Sequence, residues 1–299
     1  MIVAVTGSTG LVGTALVAAL EAEAHLVRRL VRRPVQDDEH EIRWDPVTGT
    51  IDATELDGVD AVVHLAGENL AGHRWTPAFK AKILESRVKG TRLLAETLAR
   101  EPSKPVVFCS ASAIGYYGDR GNVTVDESSS RGNGFLADVC QQWEAATQPA
   151  LDAGIRVVNL RLGVVLSPNG GALKSMLTPF RLGLGGVIGS GRQYLSWIAL
   201  DDLVSAILFA LQHNQVKGPV NAVAPQPATN CEFTKSLGKV LGRPTIFPMP
   251  AFAARLVFGE MADEMLLSGA KVEPRVLSEA SFEFQYPQLE GALRHVLEQ

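Results

Sequence analysis

Gly7, Gly10 and Gly13 stand three residues apart between an apolar run, Ile2 to Val5, and a stretch of strong helix formers, Thr14 to Leu20. The apolar run reads as a short strand buried on both faces of a parallel sheet. Strand, glycine turn, helix is the context that gives such glycines a chemistry. The first lets the chain turn sharply, the second lets a backbone approach a pyrophosphate, and the third lets the helix lie close on the strand. A phosphate would then rest on the unpaired N–H groups and positive dipole end of the helix. The competing reading is an ordinary βα turn with no ligand.

The second candidate strand, His25 to Val31, runs into Arg32, Arg33 and Pro34, and no acid follows before Asp37. An Asp or Glu at this place holds the 2′-hydroxyl of NAD, whereas Arg takes the 2′-phosphate of NADP. The expectation is therefore NADP(H), with Arg32 clasping the 2′-phosphate through charge-assisted hydrogen bonds and Arg33 beside it. A solvated basic turn is the alternative.

Other groups able to do chemistry lie at strand ends. Ala61 to Gly67 is a buried strand closing on a glycine, with Glu68 as a candidate base just beyond it. Val106 to Ser110 is followed by Ser112, Tyr116 and Tyr117. Either tyrosine could be a proton donor, with Ser112 orienting a substrate, or both could be packing groups. Lys82 and Arg87 share a helix, five residues apart, and either could meet a phosphate; Lys82 also suits a solvated face.

The elements that must position these groups alternate. Strands are expected near 25–31, 61–67, 106–110, 156–161 and 220–223. Helices are expected over 77–99, 136–151, 173–181, 197–213, 231–241, 251–267 and 289–297. The glycine-dense stretch from Gly163 to Gly191 reads as a loop region over a ligand cleft. Strands alternating with helices argue for an α/β fold, a doubly wound parallel sheet of Rossmann type. The 299 residues are 46% hydrophobic and 20% charged, an ordinary core-forming composition. A net charge of -4 leaves no basic footprint for nucleic acid. No apolar run approaches the roughly 18 residues of a membrane span. Cys109, Cys140 and Cys231 have neither metal nor disulfide spacing, which suits a reducing cytoplasm, and no metal site is expected.

Several motifs carry a family likeness: Thr6 to Gly13, His64-Leu-Ala-Gly67, Val88-Lys-Gly-Thr91, Ser110 to Gly118, and Trp197 to Asp202. The chain resembles the extended short-chain dehydrogenase/reductase superfamily, in its epimerase and dehydratase branch. More narrowly it resembles an atypical epimerase-family group, through Leu65 to Asn69, Arg74-Trp75, Ser86-Arg87, Trp143-Glu144, Pro179 to Gly186 and Gly189-Ser-Gly191. Its tail, from Phe247 through Leu277, is similar to that group's small C-terminal domain of unknown function. The resemblance implies an NADP-binding domain over 1–224 and a C-terminal lobe over 225–299, with the small domain near 248–297. It implies a small C-terminal substrate lobe and a small-molecule substrate, a carbonyl compound or nucleotide sugar, and leaves a homodimer open. By motif match, Gly7, Thr9, Gly10, Leu11, Val12 and Gly13 would line the phosphates. Leu65, Ala66 and Gly67 would line the adenosine and ribose, and Val165 would lie beside the nicotinamide. The superfamily's catalytic Tyr-x-x-x-Lys is replaced: its two positions fall on Leu136 and Cys140. The resemblance therefore leaves two functions open, an oxidoreductase or epimerase with relocated acid/base groups, and a non-catalytic NADP(H)-binding or redox-sensing protein.

Overall fold

The computed structural model describes residues 1–35 and 40–298, so Asp37 lies outside the described residues. The chain forms two contact units. One comprises residues 1–112, 139–160 and 204–220; the other comprises 113–138, 161–203 and 221–299. The units interleave along the chain, whereas the motifs divide it at 224/225.

The first unit is built on an eight-stranded sheet. Its strands are β1 (Ile2–Thr6), β2 (Leu26–Val31), β3 (Glu41–Asp45), β4 (Thr50–Ile51), β5 (Ala61–His64), β6 (Val107–Ala113), β7 (Arg156–Leu162) and β8 (Gly218–Ala222). They lie in the order β8-β7-β6-β5-β1-β2-β3-β4. Strand β1 is parallel to both β2 and β5, with Val3 opposite Val27 on one side and Ala61 on the other. From β1 the chain winds outward through β2 and β3, then returns to β5 and winds the other way. The reversal leaves a crevice at the carboxyl ends of β1 and β5, where ligands bind in such sheets. Strand β3 and the two-residue β4 are not among the strands expected from sequence. Glu41-Ile42-Arg43-Trp44-Asp45 alternates, and it buries Ile42 and Trp44 while its other side chains stay outside the core.

Helix α1 (Leu11–Ala22) follows the glycine turn. Helix α2 (Pro77–Arg100) is started by Thr76, whose hydroxyl accepts from Phe79 N at 3.2 Å, with Pro77 in its first turn. Ile42, Trp44, Val62, Leu94, Leu98 and Phe108 belong to one core cluster joining sheet and α2. The expected helix 136–151 is instead α3 (Phe135–Ala145) and α4 (Gln148–Asp152). Pro149 has no N–H to continue the ladder, and Thr147 Oγ1 donates to Glu144 O at 2.7 Å, so the chain breaks between them. Two arginines in β2 also find partners. Arg28 donates to the carbonyls of Glu55 and Asp57, at 2.6 and 3.0 Å, and Arg29 pairs with Glu21 at 2.9 Å.

In the second unit α5 (Gly171–Arg181) matches the helix read near 173–181. Trp197–Ala199 is a strand, parallel to Val164–Leu166, and α6 begins only after it (Leu200–Gln212), belonging to the first unit from Val204 onward. Helix α7 (Asn230–Leu241) carries a capping box of Thr229 and Glu232. The expected helix 251–267 is divided into α8 (Ala251–Phe258) and a π-helical turn, Ala262–Leu266. Gly259, at φ +63°, ends α8 in a conformation side chains disfavour. Trp197, Phe233, Leu237 and Leu293 form this unit's main core cluster. Among the described residues no helix is long and apolar enough to cross a membrane.

Arg156, at the start of β7, closes the end of α6. Its Nη1 donates to Ala210 O and Val216 O, both at 2.8 Å, and Nη2 donates to Leu211 O at 3.0 Å. A cation on the last carbonyls of a helix is favoured by the macrodipole. Arg156→Met should lower stability by about 2 kcal/mol, through loss of charged hydrogen bonds to buried acceptors. A melting temperature equal to wild type would refute that role.

Candidate functional site

The glycine turn has no room for side chains. At Gly13 a Cβ would lie 2.1 Å from Gly7 O; at Gly7, itself at φ +67°, it would lie 2.9 Å from Ala66 N. Those separations are far inside van der Waals contact, so α1 is pressed onto the turn and the turn onto the end of β5. Gly10 caps α1 without a side chain, and the first turn of α1 holds no acid. The amides of Leu11, Val12 and Gly13 therefore open the helix with no intrahelical acceptor, the arrangement that takes an anion.

Thr6 and His64, absent from the expected site, set this geometry. Thr6 Oγ1 accepts from Leu65 N at 3.1 Å and Ala66 N at 3.2 Å. Both lone pairs are then used, so its proton goes to His64 Nδ1, 2.7 Å away. His64 must accept at Nδ1 and is thus the neutral tautomer protonated at Nε2. The ring is fully buried, edge-on to Trp44 with centroids 5.8 Å apart. Burial pushes its pKa from 6.5 down to about 3. A histidine inside an otherwise apolar strand was the sequence signal.

The basic residues sort by their partners. Arg33 Nη2 is 2.5 Å from Glu41 Oε1. Arg32 is exposed, and among the described residues it has no ion-pair or hydrogen-bond partner. Lys82 pairs with Glu68 at 3.0 Å. Arg87 is buried, donating to Glu68 O and Ile83 O at 3.1 Å each, with its guanidinium 5.0 Å from the Trp143 ring centroid. Burial holds its pKa below the usual range, against the pull of Cys140 and Glu68. A Cβ on Gly67 would lie 3.5 Å from Arg87 Cζ, so Arg87 underlies the loop that Leu65, Ala66 and Gly67 form. Ser86 Oγ accepts from Glu68 N at 3.1 Å and secures the same loop.

Ser112, buried near the carboxyl end of β6, donates to Glu144 Oε1 on α3 at 2.7 Å. Next to Glu144, Trp143 Nε1 donates to Thr91 Oγ1 at 2.9 Å, and Cys140, one turn earlier on α3, is buried.

In the second unit Tyr116 and Tyr117 meet Arg161. Tyr117 is fully buried. Its hydroxyl donates to Asn221 Oδ1 at 2.7 Å and accepts from Arg161 Nη1 at 2.9 Å. Burial pushes its pKa up to about 12, against the opposing pull of Arg161. The Arg161 guanidinium also lies 3.5 Å from the centroid of the Tyr116 ring, which is partly exposed. Asn221 is held in turn, its N–H donating to Glu127 Oε1 at 2.9 Å and its Nδ2 to Glu273 O at 2.9 Å. Burial raises the Glu127 carboxyl above its usual range. Glu264 accepts from the amides of Phe135 and Leu136, at 3.1 Å each, and so caps the start of α3. Val165 sits opposite Ile198 in a parallel strand pair. An arginine ending an apolar strand was the signal for the Arg161 cluster; Asn221, Glu127 and Glu264 gave none.

Residues 3–223 match the model of the NAD dependent epimerase/dehydratase family. The chain belongs to that family. Residues 249–296 match a domain of unknown function, DUF1731. Epimerase family protein MT2273 of Mycobacterium tuberculosis is 47% identical, over 98% of this chain and 96% of its own length. A crystal structure of human epimerase family protein SDR39U1 with NADPH superposes with a TM-score of 0.92 at 39% identity, covering 100% of both chains. A structure of the nucleoside-diphosphate sugar epimerase from Corynebacterium glutamicum, also 39% identical, has a TM-score of 0.82 and covers 99% of this chain but 58% of that one. The family's doubly wound Rossmann fold is thus the fold of this chain.

His64 yields a pH prediction. The unfolded chain takes up a proton on this histidine near pH 6.5, the folded chain only near pH 3. Between those values the unfolded state binds more protons, so this histidine's contribution to stability declines as pH falls through that window. His64→Leu should lose less stability than wild type between pH 7 and pH 4.5, measured by urea midpoints. Parallel declines would show that His64 titrates normally.

Proposed function

We propose that this chain binds NADP(H) in the crevice at β1 and β5 and uses it in hydride chemistry on a small carbonyl compound or nucleoside-diphosphate sugar. The observation that carries the cofactor reading is the crowded glycine turn, with open amides on α1, followed along the chain by one uncommitted arginine. Gly7, Thr9, Gly10, Leu11, Val12 and Gly13 would surround the pyrophosphate. Leu65, Ala66 and Gly67 would face the adenosine and ribose, and Val165 the nicotinamide. Arg32, rather than the Glu41-paired Arg33, would take the 2′-phosphate. Lys82 and Arg87 would act through Glu68 and its loop. The NADPH in the human relative and the sugar-nucleotide chemistry named for the Corynebacterium relative support the assignment.

The bound cofactor would supply or accept hydride; the protein must move the accompanying proton. Leu136 has no proton to give and Cys140 is buried, so α3 lacks the superfamily's usual pair. Tyr116 is the better proton donor of the two tyrosines, because its ring is partly exposed and seated on Arg161. Tyr117, with both hydroxyl interactions spent, would hold Arg161 in place. Ser112, its proton given to Glu144, can still accept from a substrate hydroxyl. The commitment of Ser112 and Tyr117 to internal partners also favours a second reading: an NADP(H)-binding sensor that turns nothing over.

Two measurements separate these. Stripped protein titrated with NADPH and NADH should prefer NADPH, and Arg32→Ala should weaken NADPH alone, by roughly 10- to 100-fold for lost charge-assisted bonds. Unchanged NADPH affinity would remove Arg32 from the site. Nicotinamide fluorescence should then fall with one member of a panel of carbonyl compounds and nucleotide sugars. Tyr116→Phe should slow that reaction on the order of 100-fold or more, while leaving NADPH binding intact. Full activity in Tyr116→Phe would assign the proton elsewhere, and silence across the panel would favour the sensor.

A further inference from the structure

Residues 269–276 lie inside the DUF1731 match and are stitched to the segment that follows Tyr116 and Tyr117. Arg120 N donates to Gly269 O at 3.0 Å, and Glu273 N donates to Val125 O at 2.9 Å. Between these bonds Lys271 and Val272 run parallel to Thr124 and Val125. Ser196 Oγ donates to Ala270 O at 2.9 Å and accepts from Val272 N at 3.0 Å. Ala270 and Val272 share a core cluster with Tyr117 and Val125, and Tyr116 packs against it.

The hydrogen bonds that leave the tyrosines run in one direction. A guanidinium only donates. Tyr117 Oη, taking Arg161 Nη1, therefore gives its own proton to Asn221 Oδ1. That fixes the orientation of the Asn221 amide, whose Nδ2 donates to Glu273 O at 2.9 Å. The row Arg161, Tyr117, Asn221 thus ends on a carbonyl of the DUF1731 region. The same region holds the Asn221 backbone. Glu127 Oε1 accepts from Asn221 N at 2.9 Å and from Val276 N at 3.2 Å. Glu127 Oε2 is buried with no hydrogen-bond partner among the described residues, so this carboxyl serves through Oε1. Tyr117, Arg161, Asn221 and Glu127 are all buried, and a missing link would leave its neighbour unpaired in a low dielectric.

We propose that the DUF1731 region positions the proton donor: through Asn221 and Glu127 it fixes Tyr117, and through Tyr117 it seats Arg161 on the Tyr116 ring. Asn221 and Glu127 are positioning residues. The donor's role rests on the reading above; the brace does not, and it is tested without substrate. The chain has four tyrosines, so labelling with 3-fluorotyrosine gives four fluorine resonances. Tyr116→Phe, Tyr117→Phe and Tyr286→Phe identify their own by loss. Asn221→Leu, close in volume but unable to accept, should move the Tyr117 and Tyr116 resonances. That of Tyr286, stacked on His295, should stay and report an intact fold. With Tyr117→Phe already present, Asn221→Leu should no longer move Tyr116, because the hydroxyl that links them is gone. A Tyr116 resonance unmoved by Asn221→Leu overturns the proposal. So does one that moves equally with Tyr117→Phe present, which would be general loosening. If Asn221→Leu fails to fold, Glu127 carries the test. Glu127→Gln keeps the acceptor and should leave both resonances in place, whereas Glu127→Met lacks it and should move both. Identical spectra from those two variants overturn the brace. A silent substrate panel bears only on the donor's role and leaves these resonances as they are.

Discussion

The hydroxyl of Thr6 joins the two strands whose ends make the crevice. It takes the amides of Leu65 and Ala66 and gives its proton to His64, so the loop after β5 is held to the end of β1 by one fully used group. That pins the backbone against which Gly7 turns, and Gly7 in turn receives Gly13 of α1. A side chain at either glycine would push the helix off the strand. The price of the arrangement is a histidine kept neutral in the core, with Nε2 lacking a hydrogen-bond partner among the described residues. An unsatisfied buried donor costs free energy, so His64 is retained for what its Nδ1 does.

Arginines show how tertiary partners divide one residue type among several tasks. Arg28 and Arg156 bind backbone carbonyls, Arg29 and Arg33 pair with glutamates, and Arg87 carries a loop from beneath. Arg161 bridges two tyrosines. Arg32, like Arg74 and Arg192, is a solvated arginine with no side-chain partner among the described residues. A buried guanidinium left without acceptors would cost several kcal/mol, so the buried ones are committed to internal partners.

Helix α3 serves packing and support. Glu144 takes the Ser112 proton, Trp143 reaches Thr91, and Glu264 caps the helix start through two amides. The helix itself contains neither a tyrosine nor a lysine. The tyrosine–arginine cluster is on another element, where two phenol groups meet a fixed cation.

The α/β alternation, the β1–turn–α1 unit and the basic end of β2 were legible in the sequence, because local pattern alone specifies them: an apolar run, glycine spacing, two adjacent arginines. Helix ends were legible where a local cap marks them, as at Thr76. They were not where a distant contact or a tolerated-looking residue breaks the ladder. Pro149 divides one expected helix and Gly259 another, and Trp197–Ala199 became strand only because Val164–Leu166 lies beside it. Site composition followed the same rule. The crowded glycines Gly7 and Gly13 could be named from spacing. That Arg33 is spent on Glu41, Ser112 on Glu144 and Tyr117 on Asn221 could not, since each partner is remote in sequence and only folding brings the donor to its acceptor.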